Sequence, residues 1–217
     1  MGGVSGMYFL VFEGLDGSGK SSLMRELQAE LTRRNQAFIV SREPGGTPLG
    51  EKLRNLILEK SDHPPGARAE LLMYEASRAQ HVEFLIQPSL RSGQWVLSDR
   101  FSASSLAFQG GARGISWEMI EQLNDFATQG LQPHLNILLD LSVEESERRR
   151  EQREKSLGVQ PDRIESENRD FHQRVRDGFL RASRQDPSRW LVLDASLSTE
   201  TLFQKLLQEL KRRQWLP

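Results

Sequence analysis

The chain has 217 residues, of which 37% are hydrophobic and 27% charged, a composition typical of a globular protein with one substantial core. Its formal net charge of −1 argues against a general nucleic-acid-binding protein. The absence of cysteine excludes disulfides and thiolate catalysis, and no run approaches the ~20 apolar residues of a membrane span. We therefore expect a cytoplasmic protein that binds neither membranes nor nucleic acids.

The first part of the chain contains a glycine-rich motif between a predicted strand and a predicted helix. Residues 1–6 are small and predict a flexible N-terminal extension. Five apolar or aromatic residues at 8–12 predict a buried strand. The string GLDGSGKS at 14–21 has the pattern G-x-x-x-x-G-K-[ST], and leucines then recur every fourth residue along 23–31, on one helix face. This order predicts a P-loop that binds a nucleoside triphosphate.

Each residue type in the P-loop has a physical role in binding phosphate. The glycines let the backbone curl around one anion, and the N-terminus of the following helix favours negative charge there. Lys20 brings a full charge to the β- and γ-phosphates, and the Ser21 hydroxyl is a ligand for Mg²⁺. The predicted triphosphate-binding residues are Gly14, Leu15, Asp16, Gly17, Ser18, Gly19, Lys20, Ser21 and Ser22.

Strands and helices alternate along the rest of the chain. The further strands are predicted at 37–40, 95–99, 135–140 and 190–194. The helices between and after them are predicted at about 49–57, 67–90, 117–128, 143 to 184 with a break, and around the leucines of 202–210. A second glycine-rich loop is predicted at 107–114. The alternation predicts one α/β domain over residues 7–217, with a five-stranded parallel sheet and helices on both faces.

Polar residues follow the predicted strand ends, where ligands of parallel sheets bind. They are Asp16, Glu43, Asp99, Arg100 and Asp194. A carboxylate in the position of Asp99 commonly serves Mg²⁺ or its waters in P-loop proteins, so Ser21 and Asp99 form the predicted metal site.

A kinase for a small phosphorylated acceptor needs cations for the acceptor phosphate, a reader for its base and a mobile cationic lid. The arginines at 42, 54 and 100 are candidates for the first role. Tyr74 and Arg78 lie four residues apart on one helix face, so a ring can stack on a base while a guanidinium bonds to its edge. The basic run at 148–155 is a candidate lid.

Each of these features also has a purely structural interpretation. Arg54 and Arg78 fit ordinary surface ion pairs, Tyr74 fits a core position, and the run at 148–155 fits a solvated helix. Their presence in a chain that also carries a P-loop favours the functional interpretation.

Six strings of the sequence together resemble the thymidylate kinase (dTMP kinase) family, over nearly the whole chain from residue 7. They are FEGLDGSGKSS at 12–22, REPGGT at 42–47, LMYEASR at 72–78, DRF at 99–101, AFQG at 107–110 and DRIE at 162–165. The resemblance implies the P-loop nucleoside-monophosphate-kinase fold and the transfer of phosphate from ATP to dTMP with Mg²⁺. It also implies a homodimer through the helices at about 49–60, 67–90 and 116–128.

The resemblance implies roles for residues around the acceptor. Asp16 meets its 3′-hydroxyl, and its phosphate is surrounded by Arg42, Arg54 and Arg100. Tyr74 stacks on thymine, with Pro44 beside the 5-methyl group. Arg78 donates to thymine O4, where cytosine would place donor against donor. Ser105 and Gln109 lie where the family contacts the nucleotide.

The resemblance also places a catalytic arginine in a lid at about 145–165. The human enzyme carries an arginine within the P-loop, whereas residues 16–18 here contain none. Some bacterial members supply arginines from the lid, and spacing makes Arg153 the first choice and Arg149 the second. Such an arginine neutralises charge on the transferred group, beside Lys20 and Arg100.

Three alternatives remain at this point. Another nucleotide or deoxynucleoside kinase of the same fold would use the same P-loop. A P-loop GTPase or switch would carry an Asn-Lys-x-Asp string after a late strand, and the chain has none. An inactive relative acting as a binding module is disfavoured by the intact Lys20, Ser21, Asp99 and Arg100.

Overall fold

The computed structural model describes residues 6–158 and 160–217, and it contains one five-stranded sheet in which all neighbouring strands are parallel. The strands are β1 (Phe9–Glu13), β2 (Phe38–Arg42), β3 (Trp95–Asp99), β4 (Leu135–Asp140) and β5 (Trp190–Asp194). Their order in the sheet is β2-β3-β1-β4-β5. All five predicted strands are confirmed, and β1 is the central strand, so the P-loop leaves the middle of the sheet.

Helices follow each strand. They are α1 (Lys20–Arg33), α2 (Pro48–Leu58), α3 (Ala67–His81), α4 (Gln87–Arg91), α5 (Ser102–Ser105), α6 (Trp117–Thr128), α7 (Val143–Leu157), α8 (Arg169–Gln185) and α9 (Thr199–Arg212). A π-helical turn at Val82–Ile86 joins α3 to α4, and a second at Leu106–Ala112 continues α5. A short 3₁₀ turn, Pro187–Arg189, precedes β5.

The predicted helix at 67–90 is confirmed as one continuous helical path, with a π turn before Pro88. Proline lacks an N–H, and its ring clashes with the carbonyl four residues earlier, so a regular α-helix does not pass through it unchanged. The wider turn lets the Gln87 N–H donate to Val82 O, five residues back.

The predicted glycine-rich loop at 107–114 is wrong, because most of this segment is helical. The glycines here allow close packing. A Cβ on Gly110 would lie 2.8 Å from Trp117 Nε1, and one on Gly111 would lie 2.8 Å from Arg174 O. Side chains at these positions would push the segment away from α6 and α8.

Alternate residues of the central strand pack into different clusters. Leu10 and Phe12 lie with buried leucines of α1 and α9, including the predicted row at 202, 206 and 210. Phe9 and Val11 lie with Val82 of the long helix. Helices therefore cover both faces of the sheet, which confirms the α/β prediction.

The predicted N-terminal extension at 1–6 falls, apart from Gly6, outside the described residues. Gly6 itself is held, because its carbonyl accepts a hydrogen bond from Trp95 Nε1 at 3.0 Å. Across the described ranges, none of the helices combines the length and apolar character needed to span a membrane.

Candidate active site

The P-loop adopts backbone conformations that require glycine. Gly14 has φ 131°, and a Cβ there would collide with Leu139 O. Gly19, with φ 96°, is the N-cap residue directly before α1. The ammonium of Lys20 lies across the loop and donates to Gly14 O at 3.2 Å and Leu15 O at 3.1 Å. Burial lowers the pKa of Lys20. The loop and its lysine therefore have the arrangement of a phosphate cradle.

Asp16 and Arg100 form an ion pair between the P-loop and the end of β3. Arg100 Nη2 lies 2.9 Å from Asp16 Oδ1, and Lys20 Nζ lies 3.6 Å from the same oxygen. Burial disfavours the charged carboxylate, but Arg100 and Lys20 outweigh it and hold the pKa of Asp16 well below its usual range. Arg100 has φ 72°, a left-handed conformation that is uncommon outside glycine and that occurs at functional sites.

Glu13, the last residue of β1, is a buried carboxylate that the sequence analysis missed. It accepts hydrogen bonds from Ser104 Oγ at 2.6 Å and Phe101 N at 3.0 Å, and it lies 3.8 Å from Arg100 Nη1. Burial raises the pKa of Glu13 to about 7, although Arg100 and the two hydrogen bonds act in the opposite direction. An acidic residue ending an apolar strand was the available signal.

The raised pKa of Glu13 predicts a loss of stability as pH rises from about 5 to 7. In this window the folded protein keeps a proton on Glu13 that the unfolded chain has released, so the folded state binds more protons. The free energy of unfolding therefore falls with increasing pH. In Glu13→Gln this contribution is absent. Between pH 5 and pH 7 the urea concentration at the unfolding midpoint should therefore fall less, or rise more, with increasing pH than it does in the parent protein.

The test compares how stability changes with pH in the parent protein and in Glu13→Gln. Burial lowers the pKa of His172 and of His134, and these groups make stability rise with pH in the same window. Their contributions are common to both proteins and cancel in the comparison. Equal slopes in parent and variant would show that Glu13 ionises in the folded protein as it does in the unfolded chain.

A cavity of about 200 Å³ lies beside the P-loop, between α2, α3, α5 and the α7–α8 connection. Its lining brings together nine residues that the sequence analysis assigned to the site, which are Asp16, Pro44, Arg54, Tyr74, Arg78, Arg100, Ser105, Gln109 and Arg153. Phosphate-binding and base-binding candidates therefore share one space, as a kinase for a nucleotide acceptor requires.

Arg78 is buried at 1% exposure, so its interpretation as a surface ion pair is wrong. It donates to Glu43 at 2.9 Å and to Glu75 at 2.6 Å. Burial disfavours the guanidinium charge, but the two carboxylates outweigh it and raise the pKa of Arg78 above its ordinary value. Further donations to Ser105 Oγ, Asn124 Oδ1 and Phe101 O fix its plane.

Two other cavity residues differ from their structural interpretations. Tyr74 is half-buried, and its side chain lines the cavity. Arg54 is also half-buried and donates to Pro44 O at 3.1 Å. A pure core role for Tyr74 and a surface ion pair for Arg54 therefore do not describe these positions.

Two residues at strand ends lie away from the cavity. Arg42 is half exposed and pairs with Glu51 at 2.9 Å, in a groove that it shares with Ser21 and Asp99. Arg42 is not among the residues that line the cavity with Arg54 and Arg100, and its role at the acceptor phosphate stays a prediction. Asp194 is exposed and accepts hydrogen bonds from Ser196.

Helix α7 packs on the P-loop. Ser146 Oγ donates to Asp16 O at 2.7 Å, and Arg149 lies over the loop, 3.5 Å from Gly17 O. Arg153 reaches the cavity and pairs with Glu165 at 2.6 Å. The solvated-helix interpretation of 148–155 holds for the outer face alone.

The groove that contains Ser21 and Asp99 fits a magnesium ion. Asp99 Oδ1 is buried and has no hydrogen-bond partner within residues 6–158 and 160–217. The described residues contain no cluster of three or more metal-ligating side chains. A hydroxyl and one carboxylate, completed by nucleotide phosphates and water, are the usual protein contribution to Mg²⁺ binding.

Comparison with known proteins identifies the family of the chain. A model of the thymidylate kinase family matches residues 12–206. The chain is 56% identical to the thymidylate kinase of Bdellovibrio bacteriovorus over 210 residues, which cover 97% of this chain and 98% of the relative. It is 40% identical to that of Lactobacillus acidophilus, with coverages of 95% and 94%. A crystal structure of thymidylate kinase from Ehrlichia chaffeensis matches with a TM-score of 0.74 at 30% identity, over 94% of this chain and 99% of that one. The chain therefore belongs to the thymidylate kinase family.

Proposed function

We propose that the protein transfers the γ-phosphoryl group of ATP to dTMP, with ADP and dTDP as products. The observation that carries this proposal is the cavity that Asp16 of the P-loop and Arg100 at the end of β3 share with Tyr74 and Arg78 of α3. The names of the relatives support dTMP as the acceptor.

The chemistry needs positioning and positive charge more than covalent catalysis. An oxygen of the dTMP phosphate attacks the γ-phosphorus of ATP, and the bond from that phosphorus to the β,γ-bridging oxygen breaks. The attacking phosphate is already anionic, so no general base is required. Lys20 holds the donor phosphates, Arg100 holds the acceptor phosphate beside Asp16, and Arg153 neutralises charge on the transferred group.

The opposite end of the cavity recognises the base. The Tyr74 ring offers a stacking surface, and Pro44, which also lines the cavity, is the proposed neighbour of the 5-methyl group. Arg78 Nη2 has two hydrogens and, among the described residues, one contact to Phe101 O, which leaves an N–H for thymine O4. Ser105 and Gln109 complete this end of the lining.

We further propose that Ser21 and Asp99 hold Mg²⁺ with the ATP phosphates. When bound there, the ion neutralises phosphate charge and orients the triphosphate. The substrates also favour a cytoplasmic location, because ATP and deoxynucleotides are synthesised and used in that compartment.

Coupled ADP release tests the proposed reaction. Assays with ATP and Mg²⁺ would compare dTMP with dUMP, dCMP, dGMP and thymidine. We expect strong preference for dTMP, with dCMP rejected because its 4-amino group meets the Arg78 donor. Equal rates with dCMP would contradict the base assignment, and no ADP release with any monophosphate would contradict the reaction.

We also propose a homodimer formed through α2, α6 and the long helix that contains α3. These three helices pack side by side. The exposed large hydrophobic residues of the described chain concentrate on their outer faces, with Leu49 and Leu56 on α2, Leu72 and Phe84 on the long helix, and Met119 and Phe126 on α6. Exposed apolar residues grouped on neighbouring helices are typical of an association site.

Phe126→Glu is expected to give a monomer. Phe126 is 85% exposed in the isolated chain, and a charge there would be buried unpaired in the proposed interface. Light scattering coupled to size exclusion would give a mass near 24.8 kDa for the variant and twice that for the parent protein. Val192→Glu, at an exposed position on the edge strand β5, is the matched control and should stay dimeric. A monomeric parent protein would contradict the proposal.

A further inference from the structure

Glu70, in the first turn of α3, is a buried carboxylate outside the phosphate-binding machinery. It is 1% exposed. Its oxygens accept hydrogen bonds from Gln109 Nε2 at 2.9 Å, from Arg113 Nη2 at 3.2 Å and from Arg163 Nη2 at 2.7 Å. These donors come from the π turn after α5 and from the α7–α8 connection, so one carboxylate joins three separate parts of the chain.

On one side, Glu70 holds residues 160–167, here called the lid segment, in contact with α2 and α3. Arg163 also donates from Nε to Ile57 O at 2.8 Å and from its backbone N–H to Leu58 O at 3.1 Å. Arg113 makes a second contact with the segment, to Glu167 at 2.7 Å. The side chain of Arg163 itself does not line the acceptor cavity, whereas its neighbours Asp162, Ile164 and Glu165 do.

On the other side, Glu70 fixes the orientation of a cavity residue. An ionised carboxylate only accepts hydrogen bonds, so the amide of Gln109 must present its NH₂ group to Glu70. The remaining polar end of this side chain is then Oε1, an acceptor. Gln109 is 1% exposed and lines the cavity, and Tyr74 follows Glu70 by one helical turn. The same carboxylate therefore sets the hydrogen-bonding character of the base end.

We propose that Glu70 is a positioning residue that links acceptor binding to closure of the lid segment 160–167. Glu70 keeps Gln109 oriented for the acceptor and keeps Arg163 docked, so the two events stabilise each other. This inference rests on the proposed function. Because coupling between two binding events is reciprocal, a change that undocks the lid must also weaken acceptor binding. A substitution of Arg163, whose side chain lies outside the cavity, must therefore weaken the binding of dTMP.

The test compares Glu70→Gln and Arg163→Gln with the parent enzyme. Both variants should raise the KM for dTMP by about 10- to 100-fold, the usual effect of losing a hydrogen bond to a charged group, with a smaller change in kcat. Hydrogen exchange of the amides in 160–167 should be faster in both variants, and added dTMP should protect these amides less than in the parent. Glu26→Gln, the same substitution at an exposed position on α1, is the control and should change neither quantity.

Failure of the proposed link can be distinguished from failure of the proposed reaction. An unchanged KM for dTMP or unchanged exchange at 160–167 in both variants overturns the link, while dTMP turnover by the parent enzyme keeps the proposed reaction. An inactive parent enzyme overturns both. If Glu70→Gln fails to fold, Arg163→Gln alone decides, because the side chain of Arg163 is less buried than that of Glu70, with 12% against 1% exposed. A raised KM with unchanged exchange would show that Arg163 affects the acceptor without the lid, and would also overturn the inference.

Discussion

Replacing Arg153 with alanine is expected to lower kcat by about 10³-fold while the affinity for dTMP holds, because a cis-acting arginine contributes on that scale to phosphoryl transfer. Arg153 shares the cavity lining with Asp16 and Arg100, and its ion pair with Glu165 holds it there. Hydrogen bonding to Glu165 raises its pKa, so the guanidinium keeps its charge. Coupled ADP release would measure kcat, and titration calorimetry would measure dTMP binding.

Two other arginines of α7 serve as controls for this prediction. Arg148 is 61% exposed and pairs with Glu145, so Arg148→Ala should retain activity. Arg149 pairs with the same carboxylate but lies against the P-loop. Collapse of kcat in Arg149→Ala, with activity retained in Arg153→Ala, would transfer the role to Arg149 and contradict the spacing argument.

The parts of the fold that depend on local patterns were predictable. Apolar runs identified all five strands, and leucine periodicity identified α1 and α9. The P-loop was predictable because its function requires a short contiguous string. The segment at 107–114 was not, because its glycines serve close contacts with Trp117 of α6 and with α8, and α8 is distant in sequence.

The acidic residues of the site were mostly not predictable, because their partners are far away along the chain. Glu70 meets Arg163 ninety-three residues later, and Glu13 meets Ser104 ninety-one residues later. A buried and an exposed glutamate look the same in a sequence, and only tertiary contacts decide which carboxylates are buried. The family resemblance gave roles to the cationic and aromatic residues of the cavity and to Asp16. It gave none to Glu43, Glu75 or Glu165, although all three lie in the strings that carry the resemblance and pair with Arg78 or Arg153.

Removal of Arg78 is expected to destabilise the protein by about 3–5 kcal/mol, because breaking a buried ion pair leaves an uncompensated charge. Arg78→Met would leave Glu75 without its 2.6 Å partner and would remove one of the two side chains that contact the Glu43 carboxylate. His81 Nδ1, at 2.9 Å, remains beside Glu43. Urea unfolding at pH 7 would measure the loss. Arg54→Met is the matched control and should cost about 1 kcal/mol, since Arg54 is half-buried and donates to one carbonyl.

The pH dependence of this loss identifies its cause. Burial already raises the pKa of Glu75, and without Arg78 that carboxyl would take up a proton more readily in the folded state. The folded variant would then bind more protons than its unfolded chain, so the destabilisation should shrink as pH falls from 7 towards 5. Glu75→Gln in the Arg78→Met background should recover part of the stability, because it removes the unpaired charge. A pH-independent loss, with no recovery in the double variant, would assign the cost to packing around the Arg78 side chain and not to its charge.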